Sequence, residues 1–224
     1  KEIAQGMKGR WVRLLYTHPA HFSEELMDVI ASEDSVCKYV DLPIQHINTK
    51  ILKKMNRGLS KDFIVALIEK IRDKIPDVKI RTSVIVGFPG EGDKEFKELV
   101  SFIKEMKFER LGAFTYSREE GTKAYNFSLQ VSEEEKEARY DTILKVQQDI
   151  SLKNNLLLQG KTLRVLIDKK SPKDKNVYYA RTEMDAPEVD GICYVNSKKV
   201  LKPGTFVNIR ITDTLEYDLV GDCL

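Results

Sequence analysis

Few residues in this chain are placed to do covalent chemistry. The histidines are His18, His21 and His46, and the cysteines are Cys37, Cys193 and Cys223. His18 and His21 are three apart with Pro19 between them, which keeps them off a shared helical face. A metal ion needs more ligands than that pair supplies. His46 falls at a strand end, where it serves as a catalytic group or as a ligand contact. The cysteines are scattered, without C-x-x-C or any other chelating spacing. That pattern excludes a disulfide framework and a local zinc or iron–sulfur motif within these residues, and it points to the cytoplasm. Cys37 reads as a small buried hydrophobe. No Ser-His-Asp or Cys-His arrangement stands out, so no catalytic residue and no metal ligand is assigned.

The stronger chemical signal lies on strands, where side chains alternate between two faces. In Lys79–Gly87 one face is Ile80, Thr82, Val84 and Val86, and the other is Arg81, Ser83, Ile85 and Gly87. In Lys38–His46 the faces are Val40, Leu42 and Ile44 against Tyr39, Asp41, Pro43 and Gln45. A doubly covered parallel sheet is apolar on both faces. One apolar and one mixed polar face suit a barrel interior that holds a polar ligand. Arg81 and Asp41 are equally able to pair with each other as a structural bridge. Gly87-Phe88-Pro89-Gly90 lets backbone approach a ligand closely, but it lacks the dinucleotide-fold and P-loop patterns.

The elements that position these groups alternate. Strand-like runs at Trp11–Tyr16, Lys38–Ile44, Lys79–Val86 and Leu111–Tyr116 are each followed by a helical pattern. Ser23, Asn48, Ser60 and Ser132 are predicted to cap helices, the last as a capping box with Glu135. Four such units imply parallel strands with right-handed crossovers, too few for a complete eight-unit barrel. After Gly160 short strands at 162–167, 177–182, 191–195, 205–211 and 217–220 with turn residues between them predict a small all-β barrel. The division is therefore an α/β domain over 1–159 and a β-barrel over 160–224.

Lys plus Arg is 37 and Asp plus Glu is 35. This balance gives no overall nucleic-acid or membrane signal. Nothing resembles a leader or a spanning segment.

Four linked segments are specific: LLYTHPAHFSEEL (14–26), YVDLPIQHINTKILKKMNRG (39–58), IRTSVIVGFPGEGDKEF (80–96) and LGAFTYSREEGTKAYN (111–126). Together they resemble the radical S-adenosylmethionine methylthiotransferases, and 162–220 looks like their TRAM β-barrel. The resemblance implies the last four strands of a six-unit partial (β/α) barrel. The first two units and a separate N-terminal domain would lie upstream. It implies S-adenosylmethionine and two [4Fe-4S] clusters as cofactors, with the cluster cysteines outside this chain, so that the isolated fragment is inactive. For S-adenosylmethionine it implies Arg13, Gln45, Arg81, Ser83, Ile85, Gly87 and Tyr116. Of these, Ile85 would press on adenine and Arg81 would offer a planar fork to the methionine carboxylate. Ser83 stands where the family has a glycine.

The segment Arg181–Gly191, followed by Glu216–Gly221, resembles the branch that modifies an aspartate of ribosomal protein S-twelve rather than tRNA adenosine. Charge points the same way. Glu183, Asp185, Glu188 and Asp190 form a run without a basic residue, which repels phosphate and suits a basic protein partner. A solvated acidic loop is the plain alternative. The tRNA branch and a non-catalytic module that binds a ribosomal protein remain the rival readings.

Overall fold

The computed structural model describes residues 1–224. Strands β1 (Val12–Leu14), β2 (Val36–Asp41), β3 (Lys79–Val86) and β4 (Arg110–Thr115) form a parallel sheet in the order β1-β2-β3-β4. Six α-helices accompany them: α1 (Glu2–Gly6), α2 (Glu24–Ser32), α3 (Thr49–Lys54), α4 (Lys61–Lys74), α5 (Asp93–Met106) and α6 (Glu133–Leu156). The predicted caps form. Ser23, Asn48, Ser60 and Ser132 each accept a first-turn amide and satisfy a donor that the helix itself cannot. The box at Ser132 is half made. Glu135 turns to the buried Arg139 Nε at 2.8 Å, where a charged donor outcompetes an exposed amide. α1 escaped the sequence reading because five residues without a capping bond leave no periodicity to find.

The strand faces divide as the alternation predicts. Ile80, Thr82, Val84 and Val86 are buried, while Arg81, Ser83 and Ile85 are half-buried on the other face. β2 departs from the pattern, because Tyr39 and Asp41 are buried as well. The second domain covers that end of the inner face, which strand alternation alone does not reveal.

That domain is a closed barrel of β5 (Thr162–Lys170), β6 (Val177–Thr182), β7 (Cys193–Asn196), β8 (Phe206–Thr214) and β9 (Leu219–Cys223) in the order β5-β6-β7-β9-β8. Only β7 and β9 run parallel. Closure removes free edges and encloses a separate apolar core built on Val165, Ile167, Val195, Ile209 and Ile211. Gly191, which ends the acidic loop, is fixed by close approach: a Cβ there would stand 1.9 Å from the Tyr217 carbonyl oxygen.

The domains share polar and aromatic contacts. Asn155 of α6 donates to the Leu215 and Glu216 carbonyls at 3.0 and 3.2 Å. Trp11 packs edge-on against Phe206 with ring centres 4.8 Å apart. Cys37, Tyr39 and Ala186 bury together between the two cores. No helix is long and apolar enough to cross a membrane.

Candidate functional site

The inner face of β2–β4 opens into a cavity of about 560 Å³, within the usual range for small-molecule sites. Five of the seven residues expected around a ligand line it: Gln45, Arg81, Ser83, Ile85 and Tyr116. Two do not. Arg13 lies on the domain seam, where it donates to the Glu183 carbonyl at 2.7 Å and stacks 4.5 Å from the centre of the Tyr39 ring. Gly87 lies behind the wall at φ +73°, and a Cβ there would meet Lys136 Cγ at 2.3 Å. Its missing side chain makes room for a buried lysine rather than for a ligand.

Gln45 adopts a left-handed backbone at φ +69°. A non-glycine residue held there costs about 1–3 kcal/mol and needs surrounding structure to enforce it. Here the enforcement is explicit. Gln45 N–H donates to Ser83 and its carbonyl accepts from Ile85 N–H, both at 2.8 Å. The strained turn splices Gln45 onto the top of β3 and sets its side chain among the cavity residues. Tyr116 packs edge-on against Phe88, and its buried hydroxyl has no hydrogen-bond partner within the protein. The hydroxyl is shut off from the cavity, so Tyr116 meets it through its ring rather than through its oxygen.

Beneath the Gly87 turn lies a network that sequence reasoning did not assemble. Glu91 is fully buried, and its Oε1 accepts from Arg139 at 2.8 Å and from Gly87 N–H at 3.1 Å. Its Oε2 stands 3.2 Å from His46 Nε2, without hydrogen-bond alignment. His46 Nδ1 accepts from Asn48 N–H at 2.9 Å. His46 is thus an internal brace next to Gln45, with no exposed face to offer a substrate.

Arg81 is not a free fork. It donates through NH1 to Asp190 at 2.6 Å, and its Nε stands 3.8 Å from Asp41. The structural bridge read from sequence is present, with a second carboxylate from the other domain added to it. Arg110, which drew no attention in the sequence, binds Asp185 through NH2 at 2.5 Å and Nε at 3.1 Å. β3 and β4 set Arg81 and Arg110 directly side by side. Two adjacent arginines repel unless carboxylates neutralise them, but their adjacency depends on a strand register that the sequence does not display.

The acidic run is therefore corrected in part. Asp185 and Asp190 are buried at the seam and paired, so neither is available to a partner. Glu188 is exposed and Glu183 half-exposed. The raised pKa of Asp41 follows from its burial, partly offset by the Tyr16 amide and by Arg81.

No three His, Cys, Asp or Glu side chains stand close enough together to hold a metal ion. An iron–sulfur cluster finds no ligand set within these residues. Burial raises the Cys37 thiol from its ordinary 9.0 to about 11 and the Cys193 thiol to about 12. Both are protonated and inert at neutral pH. A maleimide is expected to label one thiol, the half-buried Cys223, in the native protein and all three after denaturation. Because folding raises these two values, the folded state holds more protons in alkali. Stability is expected to be unaffected by these thiols below about pH 9 and to fall as pH rises through about 11 and 12. Chemical denaturation across that range measures it.

Comparison with known proteins adds the family context. Residues 3–103 match the Radical SAM superfamily and residues 160–224 match the TRAM domain. The ribosomal protein uS12 methylthiotransferase RimO of Thermoanaerobacter sp. (strain X514) is 46% identical over 222 residues, covering 99% of this chain and 50% of that protein. The protein of the same name from Clostridioides difficile (strain 630) is 47% identical over 224 residues, covering 100% and 50%. The chain thus spans about half the length of the curated relatives it matches. Among solved structures, coproporphyrinogen III oxidase (HemN) from Escherichia coli, a radical SAM enzyme, aligns with a TM-score of 0.52 at 17% identity. That alignment covers 62% of this chain and 32% of the other, and the likeness is one of fold.

Proposed function

Because this chain is a RimO-type radical SAM methylthiotransferase homologue, ending in a TRAM domain, we propose that it forms about half of an enzyme that attaches a methylthio group to an aspartate β-carbon of uS12. The observation that carries this reading at the level of residues is the cavity on the inner sheet face. Its wall joins an enforced left-handed Gln45, the Tyr116 side chain, Ser83 and the apolar Ile85.

S-Adenosylmethionine bound there supplies the radical and methyl-group chemistry. This chain's own residues bind and orient it. Ile85 would pack against adenine, Gln45 and Ser83 would hydrogen-bond its polar edges, and the Tyr116 ring would close one side of the wall. Arg81, already paired, shapes the wall instead of receiving a carboxylate. Arg13 and Gly87 support the site from the seam and from behind the turn. The two [4Fe-4S] clusters of the reading take their ligands from outside these residues. Glu183 and Glu188 remain as the acidic groups that face a basic partner such as uS12, and the setting is cytoplasmic.

A second reading, contact with RNA phosphates, is favoured by one observation. Lys169, Lys170, Lys173, Lys175, Lys198, Lys199 and Lys202 are all exposed, and the two loops that carry most of them meet at one barrel end through Ser197 N–H and the Asn176 carbonyl at 2.8 Å. Binding there would weaken steeply with salt.

The cavity is tested by calorimetric titration of S-adenosylmethionine into the full-length, cluster-loaded protein. Ile85→Trp is expected to weaken binding about tenfold or more by overfilling the wall. Unchanged affinity would remove the ligand from this cavity.

A further inference from the structure

We infer that the second domain is part of the ligand site itself, with Val189 and Ala186 forming the cavity floor and Asp190 acting as the positioning residue that holds them there. This rests on the reading of the cavity given above, and it adds a specificity element that lies in the β-barrel domain.

The loop between β6 and β7 makes the link. Asp190 Oδ2 accepts from Ala186 N–H at 2.8 Å and closes the loop on itself. The same atom accepts from the Tyr39 hydroxyl of β2 at 2.6 Å, and Oδ1 accepts from Arg81 of β3. One carboxylate, 1% exposed, thus folds the loop and fastens it to two strands of the other domain. Asp185 fastens the other end to Arg110 of β4, while its Oδ2 accepts from Thr182 at 2.7 Å. Between these anchors Glu188 takes a left-handed backbone at φ +63°. Ala186 and Val189 reach the cavity wall beside Asp41 and Arg81. Val189 keeps 54% of its surface open, although it sits between two anchored ends. An apolar side chain held open on a cavity floor is a contact surface awaiting an occupant.

The charge of the floor defines what that occupant presents. Arg81 faces two carboxylates, Asp41 and Asp190, so its positive charge is fully balanced and no surplus is left to draw an anion. The ligand group that meets the floor is therefore neutral or cationic, not a carboxylate or a phosphate.

The test uses the full-length, cluster-loaded protein and S-adenosylmethionine as probe, with Kd from calorimetry. Val189→Trp is expected to raise Kd about tenfold or more, and Val189→Lys to raise it more than Val189→Asp. Because Val189 is exposed, these variants leave the fold intact, which circular dichroism checks. Asp190→Asn is expected to raise Kd while an exchange of partners, Arg110→Asp with Asp185→Arg, restores the affinity lost in either single variant. A fold defect alone would not produce the charge order at position 189. Val189→Trp with unchanged Kd while Ile85→Trp weakens binding would overturn the floor and leave the cavity reading standing. Unchanged Kd in both would instead sink the cavity reading. Val189→Asp weaker than Val189→Lys would overturn the charge assignment.

Discussion

Arg110→Ala is expected to lower the unfolding free energy by about 3–5 kcal/mol, the usual cost of removing one partner from a buried ion pair. Arg110 and Asp185 are 7% and 3% exposed as side chains, and the guanidinium gives Asp185 two charged hydrogen bonds. Without it, Asp185 keeps only the Thr182 hydroxyl and remains a buried anion beside Asp190. Opposing desolvation and pairing act on Arg110 itself, and pairing wins: its pKa is raised despite burial. The pair as a whole contributes much less than either half costs, since both charges were desolvated to make it. Arg110→Met combined with Asp185→Leu is accordingly expected to recover most of the loss. Urea denaturation of the full-length protein measures both. A loss below about 1 kcal/mol in the single variant would mean that water reaches the seam and screens the charge, as at a surface pair.

Glu91→Ala is expected to cost a similar amount, about 3–5 kcal/mol, and to abolish S-adenosylmethionine binding at temperatures where the protein stays folded. One fully buried carboxylate faces Arg139, the Gly87 amide and His46. Its removal leaves Arg139 the carboxylates of Glu135 and the exposed Asp93 and the main-chain carbonyl of residue 91. It also frees the turn after β3 and the segment around His46, which sits next to the strained Gln45. Strain of that kind persists only while its neighbours enforce it. Glu91→Gln keeps the shape and one acceptor, so its expected cost is smaller, about 1–3 kcal/mol. Binding that survives Glu91→Ala in the folded protein would show that Gln45 is held by β3 alone.

What the sequence reveals here follows the range of each interaction. The caps at Ser23, Asn48, Ser60 and Ser132 are legible because donor and acceptor lie within a few residues. The division of β3 into an apolar and a polar face is legible because alternation is a property of the strand. Gln45 and Tyr116 follow from face and position and Ser83 and Ile85 from the family resemblance, and all four line one cavity. The acidic loop was misread for the opposite reason. A run of carboxylates looks the same in sequence whether it meets solvent or arginine. Asp190 and Asp185 meet arginines 109 and 75 residues away. The Glu91–Arg139 contact spans 48 residues and was invisible in the same way. Arg13 sits on β1 and Gly87 in the turn just after β3, but the seam and Lys136 claim them first.

The most direct test of the proposed activity is mass spectrometry of uS12. The full-length protein, loaded anaerobically with its clusters, is incubated with S-adenosylmethionine, a sulfur source, and either uS12 or tRNA. A gain of one methylthio group on a single uS12 aspartate, absent from tRNA and lost in Ile85→Trp, is the predicted result. The same gain on tRNA adenosine alone, with uS12 unchanged, would contradict it.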